Sequence, residues 1–394
     1  MMKRMLCTIC ALLMLGGATA ETSLIDQWDA LARVPGEDGL YLVCRNEKWG
    51  MVNREGEILV EPELRHEPKF ENGYAVVAVA DAFALRGGSE PDEYGSFYGV
   101  ISTAGEWILP AEYDSISISG NSGTILVEKN QKFGYADMEG EFFIQPEYDR
   151  AHEFTGDYAA VAKNYDRTDD RDSLPYATSW GMIDRSGRLV VPLDYDWLET
   201  GETGPALAQL NGKYGYVNAE NEIVVDFKYW SAQPFVNGYA AVGIMEFPPG
   251  TSGDDIKDAV CSWGLIDESG REVIPCRYGG LTVCENGLLL AEESYGRYFY
   301  ISTDGKPINN EIYYRAQPFV GDYAAVGRQG ELPEGTSSAS YTVLWGAIDS
   351  EGKEILPMEF DSIKILPDGT IQTALRNVFE SYTVQDGKAV KTEA

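Results

Sequence analysis

The sequence is poor in the residues that usually carry chemistry. Only two histidines, His66 and His152, occur in 394 residues, and they do not occupy equivalent positions in the repeat described below. No pair of cysteines or histidines has the spacing of a zinc site, and no Gly-x-Ser-x-Gly elbow, phosphate-binding glycine loop or His-Glu-x-x-His helix is present. No catalytic residue, metal ligand or cofactor is therefore assigned, and the chain is read as a non-enzyme. Basic residues are also scarce: 31 Lys and Arg face 63 Asp and Glu, for a formal charge of -32. Nucleic-acid binding needs clustered cations to displace counterions, so nucleic acid is excluded as a partner and the acidity is read as a solubility device. The clusters Asp169-Asp170-Arg171-Asp172 and Asp254-Asp255 with Asp258 match neither an EF-hand nor a glycine-aspartate β-roll, and are read as solvated loop charge.

Long apolar runs are missing too, apart from one at the start. Lys3 and Arg4 precede an apolar stretch from Met5 to Leu15, and Ala18-Thr19-Ala20 supplies small residues, which reads as a signal peptide over residues 1–20. The expected mature chain begins at Glu21 and is secreted or held in the cell envelope. Nothing later offers about 20 uninterrupted apolar residues, so no transmembrane segment is expected. Four of six cysteines lie beyond the leader: Cys44, Cys261, Cys276 and Cys284. Cys261 and Cys276 flank one repeat hairpin, so either a disulfide joins them across its strands or both are small buried apolar residues.

What the sequence has is repetition. An aromatic-glycine pair recurs as Trp49-Gly50, Tyr98-Gly99, Phe133-Gly134, Trp180-Gly181, Tyr214-Gly215, Trp263-Gly264 and Trp345-Gly346, with Tyr298-Phe299 as a degenerate copy. Seven residues after each aromatic stands a glycine, such as Gly187, replaced once by Asn221, the other residue that tolerates a left-handed turn. Prolines such as Pro62, Pro110, Pro192 and Pro357 follow, where they are expected to end the second strand. Tyr113-Asp114, Tyr148-Asp149, Tyr195-Asp196 or Phe360-Asp361 then opens a further segment that leads into Gly-Tyr-Ala-type runs. The spacing back to the next aromatic alternates between short and long, so the true period is a pair of units. The expected domain runs over 39–394, with eight units and a partial ninth, Phe379 to Val390. Leu24, Ile25, Trp28, Leu31 and Ala32 are at helical spacing, which predicts a short capping helix within 21–38.

Aromatic-Gly, Ile-Asp-x-x-Gly, Ile-Pro and Tyr-Asp in this order resemble the bacterial WG repeat family, from about residue 39 to 391. The resemblance implies an all-β tandem array of antiparallel three-to-four-stranded meanders, β-solenoid or propeller-like, often in exported or surface proteins, with little functional content attached. The signature ring is expected to plug the gap between consecutive units, its glycine admitting a neighbouring backbone or ring.

Four long connections, 78–97, 162–179, 243–262 and 327–344, recur once per pair and are expected on one side of the array as its interaction face. Tyr94, Phe97, Tyr165, Tyr176, Phe247 and Tyr341 are the candidate binding residues there. The reading is an exported, non-enzymatic scaffold for a protein or surface polysaccharide. The alternatives are a carbohydrate-binding module that uses exposed aromatics, and a glycoside hydrolase built on paired carboxylates.

Overall fold

The computed structural model describes residues 27–34, 36–80, 96–120, 122–166, 176–246, 260–293, 296–330, 342–376 and 378–392, and these hold 34 β-strands and no helix. Sequence-adjacent strands pair antiparallel, so each sheet is a meander. The burial string exposed, intermediate, buried, exposed, intermediate, exposed, buried recurs identically in Ile223–Tyr229, Glu272–Tyr278 and Glu354–Phe360. It reflects one buried and one wetted face of a strand, and the same sequence pattern produces it each time.

The chain divides into two compact units, residues 1–153 and 154–394. In the first, two repeats merge into a seven-stranded sheet through the single pair Leu64↔Val79, and a four-stranded sheet follows over residues 115–148. In the second, sheets succeed one another over residues 158–195, 197–229, 231–278, 280–301, 315–360 and 362–391. The sheet over 280–301 has three strands. Its would-be fourth is reduced to the bridges Tyr298↔Tyr313 and Ile301↔Pro307. Here Phe299 replaces the signature glycine, and a side chain at that place bars the close approach seen elsewhere.

That approach explains the dipeptide. Trp180 pairs with Tyr195 and Met182 with Val191, so the facing strand carries two extra residues opposite Gly181. This is a bulge, and it presses the facing backbone inward. A Cβ on Gly181 would lie 2.5 Å from the Val191 carbonyl oxygen, and the same test on Gly264 and Gly346 gives 2.6 Å and 2.5 Å to Ile274 and Leu356. Backbone is what each of these three glycines admits, whereas a Cβ on Gly99 would lie 2.7 Å from both the Leu109 carbonyl oxygen and the Trp107 ring. Pro192 sits inside the strand Leu189–Tyr195, as Pro275 and Pro357 sit inside theirs, which corrects the expectation that proline ends the strand. At the bulge the ladder asks for no N–H, so proline costs little.

The predicted capping helix is not found in its described part. Ala30–Arg33 is a strand, pairing Ala30↔Cys44 through Arg33↔Tyr41, while residues 21–26 lie outside the described residues. Helical spacing is a weak local preference, and it yields to an edge strand, Leu40–Arg45, whose backbone is satisfied by this pairing. Trp28 and Leu31 then pack on Tyr41, Val43 and Val52.

The signature rings pack into the clusters between consecutive sheets, as expected, but share the filling with other positions. Among the signature rings Trp180 is 6% exposed, and the others are half-buried. The fully buried positions are two residues further on, such as Met51, Tyr135, Met182, Tyr216 and Tyr300, together with the ring that closes the fourth strand, such as Tyr113, Tyr195 or Phe360. The signature ring stands on the strand directly opposite that closing ring, so it flanks the seam while the other two positions fill it. Trp180, Met182 and Tyr195 join Leu198, Ala206 and Val217 of the next sheet in one cluster.

In three short repeats the buried residue is a tyrosine. Its hydroxyl donates to a main-chain carbonyl: Tyr135 to His152 at 2.7 Å, Tyr216 to Gln233 at 2.7 Å and Tyr300 to Gln317 at 2.6 Å. Tyr216 and Tyr300 also pack on Phe235 and Phe319, with centroids 4.7 and 4.8 Å apart. Burial pushes all three hydroxyl pKa values well up, so they stay neutral donors. Each bond ties a short repeat to the segment that opens the next, which gives the two-unit period a physical basis.

Candidate interaction surface

Each sheet has two distinct ends. At one, the Asp of Ile-Asp-x-x-Gly caps the turn between third and fourth strands: Asp184 Oδ1 accepts the N–H groups of Ser186 and Arg188 at 3.0 and 3.1 Å. Gly187 supplies the left-handed turn residue at φ +80°, and Asn221 does the same at +61°. The Ser186 hydroxyl, then the Arg188 guanidinium and the two N–H groups, hold the Asp184 carboxyl down at about 2. Asp267, bonded alike to Ser269 and Arg271, also lies at about 2. Asp137 and Asp349 accept the same backbone pair, as do Asn53 and Asn218. Asp137, Asp184, Asp267 and Asp349 are therefore turn formers.

Near this end of the second unit lies a cleft of about 320 Å³ lined by Thr155, Glu199, Glu202, Thr203, Asn237 and Glu285. Burial raises the Glu199 carboxyl pKa. Among the described residues no three His, Cys, Asp or Glu side chains are grouped to hold a metal ion.

At the opposite end lie the signature aromatics and the connection between second and third strands. Where that connection is long, the strands keep pairing past the aromatic: Trp180 is opposite Ala162, and the ladder continues to Asp166↔Tyr176. It reaches Glu246↔Val260, Gln329↔Val343 and, in the first unit, Ala80↔Ser96. The long connections are thus β-hairpins at their bases. One candidate binding residue is corrected by this. Phe97 pairs opposite Val79 and is 2% exposed, because the strand that carries it turns its ring into the core. Tyr165 and Tyr176 fall on the paired strands Tyr158–Asp166 and Tyr176–Asp184. Tyr94, Phe247 and Tyr341 lie outside the described residues, as do the acid clusters at 169–172 and 254–258.

The cysteine pair is also corrected. Cys261 and Cys276 are thiols. Cys261 pairs with Met245, whereas Cys276 stands opposite Gly264, its backbone nitrogen 2.7 Å from where a Cβ on that glycine would lie. The bulge thus offsets the two along their strands, and the Cys276 thiol donates instead to the Val242 carbonyl at 3.7 Å. Burial raises the pKa of Cys261.

One group of residues at the hairpin end escaped the sequence reading. Trp197, Gln209 and Tyr214 form a row across the 197–229 sheet, paired Trp197↔Gln209 and Gln209↔Tyr214. The two rings meet edge to face at 6.4 Å. Trp230, one residue past the fourth strand, is 38% exposed with the Lys213 ammonium 4.6 Å from its ring centre. Their signal was departure from the repeat. Trp197 stands where other short units have Ser115, Gly280 and Ser362, while the place of Trp230 varies, with Asp114, Asp149, Asp196 and Asp361 but also Arg65, Gly279 and Tyr314.

Solved structures with partial similarity include a eukaryotic initiation factor, at 10% identity over 84% of this chain and 88% of that one with a TM-score of 0.46. The tricorn protease has 11% identity, 90% and 38% coverage and a TM-score of 0.30. The acylaminoacyl peptidase of Pyrococcus horikoshii has 12% identity, 84% and 51% coverage and a TM-score of 0.36, so the chain spans about half or less of either peptidase. No curated protein matches the sequence. No helix among the described residues is long and apolar enough to cross a membrane. The WG containing repeat matches residues 49–80, 98–133, 133–165, 180–214, 214–244, 263–293 and 345–371, more than half of the chain, and passes over the unit at Tyr298 whose glycine is lost. With the aromatic-glycine bulge present in each matched segment, the chain belongs to the WG containing repeat family.

Proposed function

We propose that this repeat protein is an exported, non-enzymatic scaffold that binds a protein or a cell-surface polymer at the hairpin end of its sheets. The observation that carries the reading is the regular placement of extended hairpins. In the second unit they rise from the same strand pair of every second sheet, from Ala162 and Trp180, Gly243 and Trp263, and Gly327 and Trp345. Sheets with short turns, such as Asn211-Gly212, alternate with them, so the hairpins are spaced rather than crowded. Extended elements held at fixed intervals by a rigid array suit recognition of a large partner. The use of Asp137, Asp184, Asp267 and Asp349 as turn caps supports a structural, rather than catalytic, role for the repeated acids.

The test replaces residues 167–175 and 247–259 with two-residue turns, singly and together, in a protein fused to a proximity-labelling enzyme in its native host. Far-UV circular dichroism is expected to be unchanged, while the set of labelled neighbours is lost in the double variant. Unchanged labelling with an intact fold would overturn the proposal. Recovery of the wild-type protein from the extracytoplasmic fraction, without residues 1–20, tests export; a cytoplasmic, uncleaved chain contradicts it.

A further inference from the structure

We infer that a wedge in the first unit, between the seven-stranded sheet and the sheet over 115–148, binds a short peptide that carries an apolar side chain. Its cavity of about 460 Å³ is walled by Tyr74 and Val76 on one side and by Ile116, Ile118 and Met138 on the other. The same seam is closed in the other long repeats. Val76 is 37% exposed, whereas its counterparts Ala160, Ala241 and Ala325 are buried. Facing it, Ile116 is half-buried, whereas its counterparts Leu198 and Leu281 are buried. The larger side chain of Val76 stands where alanine lets the next sheet close, and apolar surface is left in contact with water.

The strand edge beside the cavity is open as well. In the other long repeats a two-residue first strand covers it, Arg150–Ala151, Ser231–Ala232 or Arg315–Ala316, and none forms between Leu64 and Tyr74. Alternate residues of Tyr74–Ala80 turn their main-chain groups toward this edge. Tyr74 exchanges bonds with Glu71, and the Ala78 carbonyl accepts the Arg65 N–H at 2.8 Å. Val76 lies between them in the same phase. Its counterparts Ala241 and Ala325 accept the N–H groups of Gln233 and Gln317 at 3.0 Å, but here that place is held by Pro68, which has no N–H to give. Among the described residues the Val76 N–H and carbonyl therefore have no partner. A donor and an acceptor side by side on an open edge match the backbone of an extended peptide, and the adjoining cavity takes its side chain. At the rim, the side chains of Lys69 and Glu71 form no ion pair or hydrogen bond with any described residue, and they offer opposite charges to the two peptide termini.

This wedge lies at the turn end of its sheets, so the site is additional to the hairpin end and does not rest on it. Isothermal titration of the full chain with the tripeptides Gly-Leu-Gly, Gly-Phe-Gly and Gly-Gly-Gly tests the assignment. Saturable binding of Gly-Leu-Gly or Gly-Phe-Gly is expected, at least about tenfold tighter than Gly-Gly-Gly. Pro68→Gln returns a donor to the Val76 carbonyl and should weaken binding by about tenfold or more, with circular dichroism unchanged. Ile118→Trp, which fills the cavity from the facing sheet, should abolish binding, while Lys364→Ala, an exposed lysine of the second unit, should leave it unchanged. Hydrogen exchange supplies a readout that needs no variant: the bound tripeptide should slow exchange within residues 74–80. No saturable binding of either apolar tripeptide, binding that leaves exchange in 74–80 unaltered, or binding that survives both Pro68→Gln and Ile118→Trp would overturn the assignment. The hairpin-shortened variants should bind the tripeptides as the wild type does, which separates the failure of one site from the failure of the other.

Discussion

Replacing Tyr216 by phenylalanine removes one oxygen atom from a residue with no exposed surface and leaves the Gln233 carbonyl without its 2.7 Å donor. The ring keeps its place against Phe235, so the change isolates the hydrogen bond. A buried acceptor stranded in this way costs about 1–3 kcal/mol, a factor of roughly 5 to 150 in the folding constant. Tyr216→Leu should cost more, because the aromatic pair, worth about 0.5–1.5 kcal/mol beyond its area, is lost as well. Tyr214→Phe, at a half-buried ring two residues away, should change stability by less than about 0.5 kcal/mol. Urea unfolding followed by far-UV circular dichroism reads all three. The tie between short and long repeats would be refuted if Tyr216→Phe unfolded within about 0.5 kcal/mol of the wild type, or no earlier than Tyr214→Phe.

Further predictions follow from the same geometry. Trp180→Ala should destabilise by about 3–5 kcal/mol, as a buried indole leaves a cavity, whereas Trp230→Ala should cost under about 1 kcal/mol; thermal unfolding distinguishes them. Asp184 and Asp267 have carboxyls held at about 2 against an ordinary 3.8, so the stability they contribute is complete above 3.8 and is lost as the pH falls toward 2. Urea midpoints measured from pH 5 to pH 2 should therefore fall across that window, and less steeply in Asp184→Asn, whose amide oxygen can still accept the two N–H groups. Thiol titration of the unfolded, unreduced chain should find Cys44, Cys261, Cys276 and Cys284 all reactive; loss of two would restore the Cys261–Cys276 bridge.

Much of this fold could be read from residue order because a repeat displays its local rules many times over. A left-handed turn accepts glycine or asparagine, and both occur at the turn position, so the turn was recognised at Gly187 and Asn221 alike. The aromatic-glycine pair was recognised but its cause was not, because the bulge depends on two extra residues in a facing strand that spacing alone does not reveal. Pro192 misled for the same reason: it seemed to end a strand that in fact continues to Tyr195. Around Leu31 a helical periodicity lost to strand pairing, a tertiary effect with no local trace. The interaction surface was half visible. Counting residues between landmarks located the long hairpins, yet could not show that Phe97 turns inward. Attention to what recurs passed over Trp197, Gln209 and Trp230, which differ from their counterparts.

The signature glycine is dictated by a backbone pressed against it. The direct measurement compares the unfolding free energies of Gly181→Ala and Gly238→Ala. Gly238 has φ +80° and nothing within 4 Å of an added Cβ, so alanine there meets only backbone strain of about 1–2 kcal/mol. At Gly181 the added carbon would sit 2.5 Å from the Val191 oxygen, so the bulge must open, at the cost of strain of about 1–3 kcal/mol and of ladder bonds worth about 1 kcal/mol each. Gly181→Ala is predicted to be the more destabilising, by at least about 1 kcal/mol. A smaller effect at Gly181 than at Gly238 would contradict the claim and leave the repeat's signature without its structural cause.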